Sequence, residues 1–192
     1  MKSVSMLLMS LLVLASCTDE TQADAASHMP AYNRNEWGRW IDADRDCQDT
    51  RQEVLIRSSL EPVKLDERGC KVLSGLWACP YTGQKFTDPG RLDIDHIVPL
   101  REAHVSGGYN WTLAEKARYF NDLRDGHLWA VSSSANRSKG ARQPHQWIPQ
   151  NYEFRCEYLR TWIKIKQIWG LNADCLESQF LNGLMIKHCE SP

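Results

Sequence analysis

The stretch DIDHIVPL, from Asp93 to Leu100, decides the fold of this chain. Apolar and polar residues alternate from Arg91 to Val98 before Pro99, a pattern that predicts a β-strand ending near Val98. Further along the chain, HLWAV, from His127 to Val131, predicts a second short strand. The polar side chains of the first stretch are therefore expected close to the end of a strand.

A second stretch, NRSKG from Asn136 to Gly140, completes the pattern. Ser132 to Lys139 predicts a short capped helix, and Gly140 predicts its end. Two strands and a helix in this order form one compact unit, so the polar residues of both stretches are expected to lie near one another.

Three of these polar residues suit the hydrolysis of a phosphodiester. His96 is a natural general base, because an imidazole with a pKa near ~6.5 is largely neutral at working pH. Asp95 offers a carboxylate oxygen and Asn136 an amide oxygen, ligands suited to one Mg²⁺ or Mn²⁺ per site. Neighbouring strand residues point to opposite faces, so Asp95 and His96 are expected to flank one phosphate from two sides.

The motif DHIVP, starting at Asp95, resembles the ββα-metal core of HNH endonucleases, including the HNH domain of CRISPR effector nucleases. More broadly, Trp37 to Glu177 is similar to a family of secreted bacterial HNH proteins. The shared motifs are CQDTRQEVLI, PYTG, DIDHIVPL, FNDL, NRSKGA, the W-x-P of Trp147 to Pro149, and CEY. The resemblance implies an α+β fold, a ββα-metal core embedded in a mainly helical, disulfide-linked single domain.

Carried over position by position, the family pattern makes Asp95 and Asn136 metal ligands and His96 the general base. His127 occupies the middle position, nine residues before Asn136, where the family usually has an asparagine that orients the catalytic histidine through its backbone. A ring nitrogen of His127 is expected to make that orienting hydrogen bond instead. Asn121 is a less favoured candidate, because it precedes the second strand and suits a turn.

Any nucleic-acid surface must be local, because the chain has a net charge of −1. Arg137, Lys139 and Arg142 follow the ligand asparagine and are candidates for contacts with DNA phosphates. The alternative is that they form a solvated basic helix end.

The first residues predict export. An apolar run from Met6 to Ala15 ends in Leu-Ala-Ser-Cys, which resembles the lipobox of bacterial lipoproteins and predicts an acylated Cys17. A plain secretory signal is the alternative. The predicted organisation is a signal peptide over residues 1–16, a tether over 17–33 and an HNH nuclease domain over 34–192, on an outer-membrane or cell-surface lipoprotein held to the membrane by its lipid.

The remaining cysteines are even in number, which predicts disulfides in an oxidising compartment, although their spacing leaves the pairing open. These candidates are Cys47, Cys70, Cys79, Cys156, Cys175 and Cys189. The family resemblance implies two pairs, Cys47 with Cys70 and Cys156 with Cys189. Cys79 and Cys175 are then left to pair with each other.

Thr50 and Thr112 are N-cap candidates, each with a glutamate three residues on, Glu53 and Glu115. Apolar periodicity supports the helices that they begin and two more near the end of the chain. The predicted helices span Thr50 to Leu60, Thr112 to Phe120, Tyr152 to Ile168 and Glu177 to Lys187, and a short strand or hairpin is predicted around Lys71 to Trp77, before PYTG.

One acidic stretch offers a competing hypothesis. Asp42, Asp44, Asp46 and Glu53 occupy ligand positions of a calcium-loop pattern, but Cys47 stands where that loop needs glycine. These residues motivate the hypothesis that the chain is a lipoprotein stabilised by calcium, in which this loop matters more than the nuclease core.

The sequence as a whole predicts an exported, monomeric, metal-dependent HNH endonuclease. Its substrate is expected to be DNA, or else RNA, cleaved with low sequence specificity because no base-reading module is present. The main rival is a catalytically weak or inactive envelope lipoprotein that uses the HNH fold to bind nucleic acid or as a structural module. His127 in place of asparagine motivates that rival.

Overall fold

The structure, a computed structural model, describes residues 29–124 and 126–190. The predicted signal peptide and Cys17 lie outside the described residues, as does most of the predicted tether. The last tether residues do pack on the domain: the Tyr32 ring meets the rings of Trp37 and His104, and His104 Nε2 lies 2.8 Å from the Pro30 carbonyl oxygen. The folded part therefore begins before residue 34.

A single domain contains both helices and short strands, the first five strands being consecutive among the α-helices and strands, which confirms the α+β class. The strands are β1 (Lys64–Leu65), β2 (Val72–Ser74), β3 (Trp77–Ala78), β4 (Lys85–Phe86), β5 (Leu92–His96) and β6 (Leu128–Ser132). The α-helices are α1 (Thr50–Ser58), α2 (Leu100–Val105), α3 (Leu113–Phe120), α4 (Ser133–Lys139), α5 (Tyr152–Ile168) and α6 (Cys175–Met185). Short 3₁₀ turns cover Arg34–Trp37, Pro89–Arg91 and Gly108–Asn110, and a π-helical turn covers Ile186–Glu190. None of the helices in the described ranges is long and apolar enough to cross a membrane.

Strands β5 and β6 pair antiparallel in an unbroken register, from Leu92 opposite Ser132 to His96 opposite Leu128. The Ser132 side chain accepts from the backbone N–H of Ala135, so α4 begins directly where β6 ends. Gly140 ends the helix with a φ of 55°, a conformation that favours glycine. The expected unit of two strands and a helix is confirmed.

The capping interactions agree with the sequence at α3 and differ at α1. Thr112 and Glu115 form the expected capping box. At α1 the N-cap is Asp49, one residue earlier than expected, and its carboxylate accepts from Gln52 N. The Thr50 hydroxyl instead donates to Asn121 Oδ1 over 2.8 Å. The expectation that Thr50 and Glu53 form a capping box is therefore wrong.

The two disulfides implied by the resemblance, Cys47–Cys70 and Cys156–Cys189, are confirmed. The remaining pair, Cys79 with Cys175, is wrong. Cys79 is free and buried, and its Sγ accepts from the backbone N–H of Ser132 at 3.2 Å. The thiol lies beneath the junction of β6 and α4, where it packs as a small apolar side chain.

A buried ionic cluster joins α2, α5 and α6. Lys166 Nζ lies 2.8 Å from Glu102 Oε1, contacts Glu177 Oε2 and donates to the Asn172 carbonyl over 3.0 Å. The side chains of Lys166, Glu102 and Glu177 are each at most 5% exposed. Without the lysine, two carboxylates would face each other away from water, so the cluster depends on its one cation.

We therefore expect Lys166→Met to lower the free energy of unfolding by about 3–5 kcal/mol, because it leaves buried carboxylates without a counter-charge. Urea denaturation at neutral pH measures this. Arg160→Met, at an exposed position on the same helix, is the matched control and should change stability by less than about 0.5 kcal/mol. Equal stabilities of the two variants would contradict a structural role for the cluster.

Candidate active site

A cleft of about 360 Å³ opens at the end of β5. Asp95 and His96 from β5 and Asn136 from α4 all border it. Although Asp95 and His96 leave the strand on opposite sides, both reach this cleft at the strand end. The structure thus brings together the three residues that the sequence assigned to the chemistry.

Strand β5 and helix α4 are joined by matched pairs of polar side chains. Asp93 and Asp95 are two residues apart on the strand and share a face, while Asn136 and Lys139 are one turn apart on the helix. Asn136 Nδ2 donates to Asp93 Oδ2 over 3.0 Å, and Lys139 Nζ lies 2.8 Å from Asp95 Oδ2. Asp93 was not predicted as a site residue, although its position two residues before Asp95 places it on the same face of the strand.

The Asp95 carboxylate is buried and shared between two donors. Lys139 contacts both oxygens, and the hydroxyl of Tyr81 donates to Oδ2 over 2.5 Å. Burial raises the pKa of Asp95, and the charge of Lys139 and the Tyr81 hydroxyl oppose that rise. Burial likewise lowers the pKa of Lys139, opposed by Asp95. The two groups thus stabilise each other's charged forms.

This arrangement corrects the expectation that Lys139 contacts DNA. Its side chain is fully buried, and its ammonium also donates to the His96 carbonyl oxygen over 2.8 Å. An ammonium enclosed in this way does not reach a phosphate on the surface. By contrast, Arg137 and Arg142 are exposed and border a second groove beside the cleft.

His96 is oriented by a backbone carbonyl at the end of a helix. Its Nε2 lies 2.9 Å from the carbonyl oxygen of Phe120, the last residue of α3. Carbonyls in the last helical turn have no partner within the helix, so the Phe120 carbonyl accepts a hydrogen bond from Nε2–H, which leaves Nδ1 as the acceptor of the neutral ring. Trp40 and Tyr119 stack on the imidazole, with interplanar angles of 9° and 6°.

The surroundings keep His96 neutral. Burial lowers the pKa of His96 well below its ordinary value, and nearby His127 lowers it further. The hydrogen bond to the Phe120 carbonyl opposes these effects without overcoming them. A buried, neutral imidazole with a free Nδ1 is suited to accept a proton from water.

His127 does not orient His96 through its ring. The two rings meet edge to face at 5.2 Å, and no hydrogen bond joins the His127 ring to His96. Instead, the His127 carbonyl accepts from the backbone N–H of Ile97 over 3.0 Å. The expected hydrogen bond from the His127 ring is therefore wrong, and the backbone carbonyl of His127 contacts the strand, while the Phe120 carbonyl contacts the His96 ring.

Asn121 does not take the orienting role either. Its amide oxygen accepts from Ile41 N and from the Thr50 hydroxyl, and its amide nitrogen donates to Arg39 O. It fastens the N-terminal segment to the end of α3. The role of the Phe120 carbonyl was not predicted from the sequence. The predicted end of the helix at Phe120 indicates carbonyls without a partner in the helix, but not which donor binds them.

The oxygen atoms at the cleft fit a small divalent cation. Because Asn136 Nδ2 is held by Asp93, its Oδ1 is the free end of the amide, and no described residue donates to it. Asp95 Oδ1 accepts only from Lys139 within the described ranges. One amide and one partly compensated carboxylate suit Mg²⁺ or Mn²⁺, which retain waters and bind together with substrate phosphates.

The acidic stretch near residue 42 forms an exposed cluster away from the cleft. Ligand oxygens of Asp42, Asp44 and Asp46 lie within 4.8 Å of one another, and Glu53 is not part of the group. Both oxygens of Asp42 already accept backbone N–H groups, those of Arg45 and Cys47. Calcium binding at this cluster stays a prediction.

Comparison with known proteins identifies relatives of the chain. Residues 47–181 match the family described as GmrSD restriction endonucleases, C-terminal domain. An uncharacterized secreted protein of Arthroderma benhamiae is 35% identical over 154 residues, which covers 80% of this chain and 74% of that protein. This relative is fungal, so the similarity extends beyond the bacterial proteins expected from the sequence. No solved structure matches the chain significantly.

The buried His127 ring makes stability depend on pH. Burial lowers the pKa of His127 to about 4, and the charge of Asp122 opposes this. In the unfolded chain the pKa of histidine is near ~6.5, so between these values the unfolded state binds more protons and stability falls as the pH falls. We expect His127 to contribute about 2 kcal/mol to the loss of stability between about pH 7 and pH 5.

Denaturation of His127→Asn at both pH values tests this, since the variant lacks the titrating ring and should lose about 2 kcal/mol less than the wild type. His145→Asn is the control and should keep the wild-type pH dependence. The same loss in His127→Asn and wild type would show that the ring does not titrate in this range.

Proposed function

The chain belongs to the family of GmrSD restriction endonuclease C-terminal domains, and on this basis we propose that it is a metal-dependent HNH endonuclease that hydrolyses DNA with low sequence specificity. One observation carries the proposal. His96, with Nε2 tied to the Phe120 carbonyl and Nδ1 free, shares a single cleft with Asp95 and Asn136. A base and two oxygen ligands around one opening are what phosphodiester hydrolysis needs.

In the proposed mechanism, His96 Nδ1 accepts the proton of the attacking water. The Phe120 carbonyl holds the opposite nitrogen and fixes the tautomer, so the ring does not need to reorient during the reaction. Stacking by Trp40 and Tyr119 holds the ring plane. Because the imidazole is neutral before attack, it enters the reaction ready to accept a proton.

Asp95 and Asn136 are the proposed ligands of one Mg²⁺ or Mn²⁺. When bound, the cation supplies Lewis-acid stabilisation of the charge that develops on the phosphate and the leaving oxygen. The hydrogen bond from the Asn136 amide nitrogen to Asp93 orients the amide oxygen of Asn136. Lys139 and Tyr81 hold the Asp95 carboxylate in place through an ion pair and a hydrogen bond. These three residues position the ligands without contacting the substrate.

The rival reading, an inactive binding or structural module, loses its main support. It rested on His127 in place of asparagine. The contact between that position and the catalytic strand is made by the His127 carbonyl to Ile97 N, and every residue type has such a carbonyl. Histidine at this position is therefore compatible with an active site.

Export forms part of the proposal. The two disulfides suit an oxidising compartment, and the fungal relative is described as secreted. Acylation of Cys17, with an outer-membrane or cell-surface location, stays a prediction from the sequence.

If Cys17 is acylated, the expressed full-length protein should partition into the detergent phase, and Cys17→Ser should move it to the aqueous phase. Cys79→Ser, at the free buried thiol, is the control and should leave the partitioning unchanged. Partitioning of Cys17→Ser into detergent would rule out the lipid anchor.

For the catalytic proposal, purified protein with Mg²⁺ or Mn²⁺ should nick supercoiled plasmid, and a chelator should stop it. His96→Ala should slow cleavage by about 10²–10⁴-fold, because it removes the base. Asn136→Ala should raise the metal concentration needed for half-maximal cleavage. Asn110→Ala, at an exposed position outside the cleft, is the matched control for the amide.

Circular dichroism must show that each variant is folded. Folded wild-type protein without metal-dependent cleavage would refute the proposal. Cleavage that persists unchanged in His96→Ala would remove His96 from the role of base.

A further inference from the structure

A second groove of about 420 Å³ lies directly beside the catalytic cleft. Arg101, Gly140 and Ala141 border both depressions, so the two share one wall. Arg137 and Arg142 border the second groove only. An extended ligand that crosses the shared wall passes from one depression into the other.

Two of the three residues of the shared wall have small side chains or none. Gly140 has no side chain, and Ala141, which is exposed, has only a methyl group. Gly140 also has a φ of 55°, so any other residue would be strained there. A polymer backbone can therefore approach the main chain closely at this point.

The arginines along this route have uncompensated charges. No described carboxylate forms an ion pair with Arg101, Arg137 or Arg142. The carboxylate that borders the groove, Glu102, is already bound by Lys166 and by Gln143 Nε2. In a chain with a net charge of −1, this is a local concentration of positive charge.

The N-terminal segment adds a further basic residue to the cleft. Tyr32, Arg34 and Trp40 border the cleft and precede residue 47, where the family match begins. The Arg34 guanidinium lies 4.5 Å from the centre of the Phe120 ring, which holds it beside the opening, and it too lacks an ion pair with any described carboxylate. Arginines therefore border both the cleft and the neighbouring groove.

We propose that one DNA strand of the substrate runs from Arg34 across the cleft, over Gly140 and Ala141, and into the second groove. Arg101, at the junction, holds the phosphate next to the scissile one, and Arg137 and Arg142 hold those that follow. Contacts of this kind bind the backbone and do not read bases, which agrees with low sequence specificity. The inference rests on the proposed function, because it takes the cleft as the site of cleavage.

Binding is measured in full-length His96→Ala protein, so that cleavage does not consume the DNA. Fluorescence anisotropy with a labelled single-stranded oligonucleotide, from about 50 mM to 200 mM salt, gives the affinity and its salt slope. Each arginine that contacts a phosphate should add about 0.7 to the slope. Charge reversals are made one at a time: Arg34→Glu, Arg101→Glu, Arg137→Glu and Arg142→Glu. Arg160→Glu, exposed on α5 and outside both depressions, is the matched control.

We expect each of the four arginine variants to bind the oligonucleotide at least about tenfold more weakly at low salt than the Arg160→Glu protein. Their affinity should also depend less steeply on salt concentration. Affinities and slopes equal to those of the control would overturn the strand path. Absence of DNA binding at low salt by folded His96→Ala protein would overturn it as well. If the grooves bind DNA but wild-type protein does not nick plasmid, the proposed catalytic function fails while the binding result stands.

Discussion

The buried ion pair between Lys139 and Asp95 is the interaction on which the cleft depends. Two full charges are removed from water at the contact of helix α4 with strand β5, and such burial is tolerated only with good geometry and further hydrogen bonds. Here the hydroxyl of Tyr81 satisfies the carboxylate, and the carbonyl of His96 satisfies the ammonium. The pair therefore fixes the helix against the strand at the point where the catalytic groups emerge.

The repeats of the helix and of the strand place a second pair of polar side chains beside this ion pair. Lys139 and Asn136 are one helical turn apart, and Asp95 and Asp93 are two positions apart on the strand, so the second pair meets when the first does. The hydrogen bond between Asn136 and Asp93 then leaves the amide oxygen free at the cleft. A lysine that looks like a surface cation in the sequence thus serves as an internal counter-charge, and the exposed arginines around it remain for a ligand.

His96, the proposed general base, is held mainly by main-chain groups. The carbonyl of Phe120 accepts from its ring, its own carbonyl accepts from Lys139, and the next residue, Ile97, donates to the carbonyl of His127. Main-chain groups do not depend on residue type, so position 127 can change from asparagine to histidine while the strand contact stays. What the change does introduce is a buried ring that prefers to be neutral, with its effect on stability at acidic pH.

Local patterns in the sequence indicated most of the elements around the cleft and the polar residues that meet there. Alternation around Asp95, the capping box at Thr112 and the glycine at 140 depend only on neighbouring residues, so β5, β6, α3 and α4 were predicted within a few positions, whereas α2, which also borders the cleft, was not predicted. Only the tertiary structure decided what distant residues do to one another. It buried Lys139, left Cys79 unpaired, and brought the carbonyl of Phe120 and the N-terminal Arg34 to the cleft, because such contacts arise from packing between segments far apart in the chain and leave no periodic pattern in the sequence.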